Sequence, residues 1–250
     1  MNYYSRYTRT ILNSGTKITP RGLPVIAKYN VTFATVPGFT YRREKDNPLI
    51  GFMEGLQFIA GIGDLDAIAR VAPHADLSLF TGQSIYGPRA GDQTQWVIDE
   101  LNKDPDSRRA TIIISDQHEP LETRACTTCM QFQKIGHELL TIVSMRSSDA
   151  VYGLPYDLVQ FGMMSQMIGC CTGAVATRLV INIGNAHIYE KTAHLATSKH
   201  TPWSFTLPRV SDKFDDWVYW AKKEMDVLTM SLVKEEFDFK EEKEDGRGWL

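Results

Sequence analysis

Two strand-like runs, Cys126 to Gln133 and Leu139 to Arg146, are joined by Lys134-Ile135-Gly136-His137-Glu138. A short polar bridge with a glycine between two extended runs is a hairpin signal. It sets an antiparallel pair in mid-chain that the rest must pack around. Further strands read over Val25 to Phe33, Ala110 to Ile114 and Thr177 to Ile183. Helical periodicity covers Pro48 to about Ala60, Gln93 to Asn102, Leu158 to Ile168, Ala186 to Thr197 and Trp217 to Leu232. These elements mix without a strict β-α-β rhythm. The pattern predicts an α+β fold: a mixed, largely non-parallel sheet flanked by helices.

No repeat and no Pro/Ser/Gly linker interrupts the 250 residues, so a single domain over 1–250 is expected. Gly61 to Gln83 reads as irregular with short helical pieces, and Gly15 to Gly22 as a turn-rich loop. The charged tail, 234–250, is expected to fray unless Trp249-Leu250 docks. With 27 basic and 30 acidic residues the net charge is −3, which leaves no global cationic surface for nucleic acid or an anionic membrane. The start, Met1 to Arg6, leads into no apolar run, and no stretch has the roughly 18 apolar residues of a membrane span. Four cysteines in two clusters do not form a secreted disulfide pattern. A cytoplasmic protein with reduced thiols is the expectation.

Several polar residues stand out. Glu54 sits among apolar neighbours on its helix. It is either a carboxylate at the helix rim or a buried acid with a raised pKa suited to proton transfer; the helix alone favours the rim. Cys126-Thr127-Thr128-Cys129 is a C-x-x-C pair. Positions i and i+3 of a strand point to opposite faces, and no second pair completes a zinc site. One reactive thiol beside one inert cysteine is the better reading, and no metal is expected. Arg21, Arg108, Arg109 and Arg146 lie in loops or at strand ends. Guanidinium forks suit phosphate oxygens, and an arginine beside a thiol lowers its pKa. Arg146 to Asp157 packs polar groups between an apolar strand and an apolar helix, with Asp157 either a cap or a recognition group. Gly184 to Tyr189 reads as a strand end entering a helix.

In chain order, the sequence carries Glu54-x-x-x-Phe58-x-x-Gly61, Tyr86-Gly87 and Asp104-Pro105-Asp106-Ser107-Arg108-Arg109. Cys126-x-x-x-x-Gln131-Phe132, Arg146-Ser147-x-Asp149, Gly153-Leu154-Pro155-Tyr156 and Gly184-x-x-His187-x-Tyr189 follow. This series, from about Arg21 to Tyr189, resembles the thymidylate synthase family, folate-dependent enzymes acting on pyrimidine nucleotides. The resemblance implies sheets stacked back to back in a homodimer. It makes Cys126 the nucleophile, with Glu54, Tyr86 and Arg146 beside it in the catalytic set. Arg146 and Ser147 become phosphate ligands, and Arg21 a phosphate ligand on a mobile loop. Arg108 and Arg109 would be donated to the partner's phosphate site. Gln131, Ser148, Asp149, Asp157, His187 and Tyr189 complete the nucleotide site, His187 and Tyr189 at the sugar. Glu54, Asp149 and Gly153 face the cosubstrate, 5,10-methylenetetrahydrofolate.

Two departures point within the family. Asp157 stands where synthases carry the Asn that reads uracil; a carboxyl group can accept from the amine of cytosine and, when protonated, donate to ring nitrogen 3. Met145-Arg146-Ser147-Ser148-Asp149 and Cys126-Thr127 likewise resemble the phage deoxycytidylate hydroxymethylases. No Trp occurs between Phe58 and Trp96, where synthases place tryptophans that shield the folate site. Admitting water there would give a hydroxymethyl product instead of methyl. The expected activity is 5-hydroxymethylation of dCMP. The alternatives are a thymidylate synthase or dUMP hydroxymethylase, a CMP hydroxymethylase of antibiotic biosynthesis, or a catalytically dead nucleotide-binding paralogue.

Overall fold

A computed structural model describes residues 3–43, 46–73, 85–116, 118–120 and 124–244, with side chains as far as residue 230. The chain opens with α1 (Tyr3–Ser14), β1 (Thr16–Ile18) and a 3-10 turn over Pro20–Gly22. It continues through β2 (Val25–Thr35), β3 (Phe39–Arg42), α2 (Leu49–Ala60), α3 (Leu65–Val71) and α4 (Gly87–Lys103). The middle holds β4 (Thr111–Ile113), β5 (Thr127–Ile135), β6 (Glu138–Met145), β7 (Ser148–Asp149) and α5 (Leu154–Cys171). Last come β8 (Ala176–Tyr189), α6 (Ala193–Ala196), β9 (Thr201–Ser204) and α7 (Phe214–Glu244).

The main sheet runs β1-β2-β8-β6-β5-β4, with β7 also on β8, while β3 and β9 pair separately. The predicted hairpin is β5-β6, turning at Gly136 with φ 60°. β8 pairs parallel with β6 and β7 and antiparallel with β2, and β6 pairs antiparallel with β5, so the sheet is mixed as expected. One face buries Phe33, Met130, Phe132, Leu139, Val143, Leu179 and Ile181 beneath the helices. The opposite face carries half-buried or exposed Cys129, Gln131, Ile142, Val180 and Asn182.

Helix α2 lies between Pro48 and Gly61; Gly61 takes the left-handed φ of 68° and its N–H closes on the carbonyls of Gln57 and Phe58. That is the proline-before, glycine-after asymmetry of helix ends. Gly51 and Gly55 let α2 approach α5 closely. A Cβ on Gly51 would stand 3.0 Å from the Tyr156 backbone, and one on Gly55 would stand 3.3 Å from the Gln160 Cα. The crossing brings the segment of α2 that carries Glu54 against the first turns of α5.

Three expectations need correction. Ala186 to Tyr189 is not helical: it continues β8, pairing with Val25–Lys28. Its period is two, with Ala186 and Ile188 buried and His187 and Tyr189 on the other side. Helical turns follow at Glu190–Thr192 and α6. Helix α4 starts at Gly87, ahead of the predicted Gln93, because non-helical Gly91 (φ 37°, ψ −132°) lets two helical pieces join. Helix α5 starts four residues before the predicted Leu158, with Pro155 in its first turn. Helix α7 runs on past Lys234 to Glu244, and Trp249-Leu250 lies outside the described residues. Of the stretch read as irregular, α3 is the helical piece, and 74–84 lies outside the described residues. No described helix is long and apolar enough to cross a membrane.

Candidate active site

The turn after β1, the end of β6 and the last residues of β8 enclose a cleft of about 460 Å³. Arg21, Arg146, Ser147, Asn185, His187 and Tyr189 line it. Arg21 holds a left-handed φ of 51°, followed by Gly22 at 77°, so the turn projects a cation from a tight bend. Arg146 is anchored at its base: Nε donates to the Ala125 carbonyl at 3.1 Å and Nη2 to the Arg124 carbonyl at 2.6 Å. Its backbone N–H also bonds the Cys126 carbonyl at 2.9 Å. These bonds fix the guanidinium against the residues leading into Cys126. His187 Nδ1 lies 3.4 Å from Ser147 Oγ, and its ring meets Tyr189 edge-on at 5.2 Å. Burial lowers the His187 pKa against the pull of Asp149, which favours a neutral imidazole. Two arginines, a serine hydroxyl and a neutral histidine make a small anion site with polar groups for a sugar.

Cys126 is half-buried just before β5. Burial raises its thiol pKa; Arg146 and Arg21 pull it down, and Asp157 pushes it up. The expected arginine effect is therefore present and outweighed by desolvation. Beside it, Thr127 donates from Oγ1 to the Tyr86 hydroxyl at 3.1 Å, both side chains buried. The Tyr86 phenol is raised strongly by burial, then by Asp157 and Cys126. It therefore stays protonated and can donate.

Two carboxyl groups are coupled in series to the thiol: Asp157 acts on Cys126, and also on Glu54. Glu54 keeps some accessible surface, yet burial and then the charge of Asp157 push it up to about 8. The rim reading of Glu54 is set aside. Asp157, 9% exposed in the first turn of α5, is raised to about 7 by burial, opposed by a hydrogen bond from Gln160. The cap position is Gly153, and the partner of the Asp157 side chain among the described residues is Gln160. Asp149 Oδ1 accepts from the Val151 N–H at 2.8 Å, and burial raises its carboxyl. Gly153 closes this turn, its N–H on the Asp149 carbonyl at 3.0 Å.

The structure does not bring every candidate to this cleft. Ser148 is buried on β7, its hydroxyl without a partner among the described residues. Gln131 sits mid-strand on the open sheet face, 3.5 Å from the Arg108 carbonyl. Arg108 and Arg109 are exposed at the start of β4, Arg109 paired with Glu100 at 2.6 Å. Thr111 faces Gln131 and Ile113 faces Cys129, which puts Arg109 roughly 20 Å along the sheet from Cys126. Three further residues belong to the site: Thr127 beside Tyr86, Asn185 in the cleft, and Gln160 on Asp157. Gln160 has a sequence signal, a lone amide inside Leu158-Val159-Gln160-Phe161. Among the described residues no group of three His, Cys, Asp or Glu is placed to hold a metal ion.

Residues 68–226, well over half of the chain and nearly all of this site, match the family model described as thymidylate synthase. The chain belongs to the thymidylate synthase family. It is similar to a thymidylate synthase of Fusobacterium nucleatum subsp. nucleatum, 30% identical over 111 residues. That stretch covers 44% of this chain and 40% of that enzyme. The thymidylate synthase match thus begins after Glu54 and takes in Tyr86, Cys126, Arg146, Asp157 and His187.

Proposed function

We propose that the protein is a folate-dependent one-carbon transferase that converts dCMP to 5-hydroxymethyl-dCMP. The observation that carries the base preference is Asp157, a buried carboxyl group on α5 that acts electrostatically on Cys126, Glu54 and Tyr86. Uracil presents an acceptor at position 4 and cytosine a donor. A carboxyl group can satisfy the cytosine edge on both atoms.

The nucleotide phosphate lies on Arg21, Arg146 and Ser147, and the sugar at His187 and Tyr189. The Cys126 sulfur adds to carbon 6, which makes carbon 5 nucleophilic. The one-carbon unit at the oxidation level of formaldehyde comes from 5,10-methylenetetrahydrofolate. Glu54, protonated near neutrality, moves protons to and from the ring, and Tyr86 donates beside it. Loss of the carbon-5 proton, with tetrahydrofolate as the leaving group, turns the transferred carbon into an exocyclic methylene; a water adds to it, and expulsion of Cys126 from carbon 6 restores the aromatic ring.

Residues fitting the folate lie beyond Glu54. Tyr156 is linked electrostatically to Glu54 and to Asp46, Arg43 and Tyr152. There a cavity of about 710 Å³ is lined by Arg42, Arg43, Tyr152 and Lys199. Arg43 there is paired with Asp46 and lies over the Tyr152 ring, which leaves Arg42 and Lys199 as the cations that suit a carboxylate tail. Tyr152, Gly153 and Asp149 would form its inner wall.

The second copy in this reading is a symmetric partner. The open sheet face offers its surface, and Arg108 and Arg109, too far to serve their own cleft, would serve the partner's. A cytoplasmic setting goes with this chemistry.

A second reading is methylation of dUMP, favoured by the name of the Fusobacterium relative. Incubation with methylenetetrahydrofolate and dCMP, CMP or dUMP separately, with products identified by mass, separates the two. Hydroxymethyl-dCMP supports the proposal. Methylated dUMP replaces it with the second reading, hydroxymethyl-CMP moves the preference to ribose, and binding without product makes the chain a dead paralogue.

A further inference from the structure

The run Leu158 to Met164 on α5 is buried throughout, and Gln160 is its one strongly polar side chain, 4% exposed. Its Nε2 donates to Asp157 Oδ1 at 3.1 Å. Asp149, Glu54, Cys126, Tyr86 and Tyr7 act on Asp157 or feel its charge. Among the described residues none of these five hydrogen-bonds to it. Among the described residues the Gln160 amide is the one hydrogen-bond partner that makes the two oxygens differ.

That difference matters because a free carboxyl group is ambivalent. With its proton on one oxygen it offers acceptor then donor, the complement of the cytosine edge. With its proton on the other oxygen, or after a half-turn about Cβ–Cγ, it offers donor then acceptor, the complement of uracil. A carboxyl group that can exchange these states reads both bases. An N–H held on Oδ1 opposes a proton on that oxygen and opposes the half-turn, because each would cost a buried hydrogen bond.

We infer that Gln160 is a specificity-determining positioning residue, which holds Oδ1 of Asp157 as the accepting oxygen and so makes the carboxyl group read one pyrimidine edge only. The inference rests on the base-reading role proposed above for Asp157. It adds that Asp157 alone is not sufficient for selectivity. Gln160 touches neither substrate nor reacting atoms; it acts through Asp157.

The test is equilibrium binding of dCMP and dUMP to the full chain by calorimetry, without folate. Gln160→Met keeps the volume and removes the donor. Gln160→Asn keeps an amide but is one methylene too short, and serves if the apolar variant does not fold. The expected result is a fall of about tenfold or more in the ratio of the two dissociation constants, chiefly through tighter binding of the disfavoured nucleotide. In an Asp157→Asn background the same Gln160 change should leave the ratio within about twofold, because the coupling partner is gone. An unchanged ratio in a folded Gln160 variant overturns the inference, as does an equal loss for both nucleotides, which is what a merely structural amide would give. Should the unaltered protein prefer dUMP, the cytosine reading fails. A ratio that still collapses on Gln160→Met would then support the role of Gln160 with the opposite edge.

Discussion

Burial of Glu54 on α2, and after it the charge of Asp157 on α5, holds the Glu54 proton in place. Asp157 stands at about 7 and Glu54 at about 8. Near neutrality Glu54 is therefore an acid. Between its ordinary value of 4.5 and about 8, the folded protein binds a proton at Glu54 that the unfolded chain has lost. Stability then falls as pH rises through that window. Glu54→Gln should be stabilising by an amount near zero below pH 4.5 and on the order of a few kcal/mol above pH 8. Denaturation at pH 5 and pH 8.5 measures this, and turnover should be lost at both. A variant equally stabilised at both pH values would show that Glu54 is not buried as an acid.

The Cys126 thiol is dominated by desolvation, with Arg146 as its main opposing influence. Its alkylation, followed at this residue by mass spectrometry, should rise with pH to a midpoint above that of an ordinary thiol. Arg146→Leu should move the midpoint further up, and Arg146→Lys should move it less. Cys126→Ala should abolish turnover and leave nucleotide binding measurable.

Base preference follows one side chain. Asp157→Asn replaces a carboxyl group by an amide whose N–H can face the position-4 oxygen of uracil. The ratio of kcat/KM for dCMP over dUMP should fall by about 10²-fold or more, since a site built for one hydrogen-bonding edge penalises the other. An unmoved ratio would remove Asp157 from base recognition.

Much of this was legible in the sequence where local pattern and chemistry coincide. Gly136 between two apolar runs announced the β5-β6 hairpin, and Pro48 with Gly61 bracketed α2. Ala186 to Tyr189 misled because Gly184-Asn185 looks like a strand end. Pairing with Val25–Lys28 on one side and Ser148-Asp149 on the other, both far away in sequence, keeps it extended. The burial of Glu54 was not legible from α2 alone. It depends on Gly51 and Gly55 meeting Tyr156 and Gln160, a crossing that single-segment periodicity does not contain. Gln160 was missed for the same reason, as its meaning depends on Asp157 being buried next to it.

That crossing is itself testable. A side chain at Gly51 meets the Tyr156 backbone, which cannot swing aside as a side-chain tip can. Gly51→Val should destabilise by about 1–3 kcal/mol through overpacking, despite relief of the glycine penalty in a helix. It should also lower kcat in the folded fraction, because α2 and α5 must separate with Glu54 and Asp157 upon them. At Gly55 the nearest atoms belong to the flexible end of Met163, so Gly55→Ala should cost less. Chemical denaturation with kcat per folded molecule reads both; equal costs at the two glycines would place the close approach elsewhere.

The position of Arg109 carries the last prediction. It lies at the far end of β4 from Cys126, exposed and paired with Glu100. If it serves the partner's phosphate, Arg109→Ala and Cys126→Ala each inactivate both sites of their own homodimers, yet damage different sites in a hybrid. One hybrid site then combines an intact Cys126 from one chain with an intact Arg109 from the other. Mixing the two inactive proteins under conditions that exchange subunits should restore roughly a quarter of the activity. The Cys126→Ala chain mixed with itself should restore none. Mixtures that stay silent while hybrids form by mass would assign Arg109 to its own chain or to the surface.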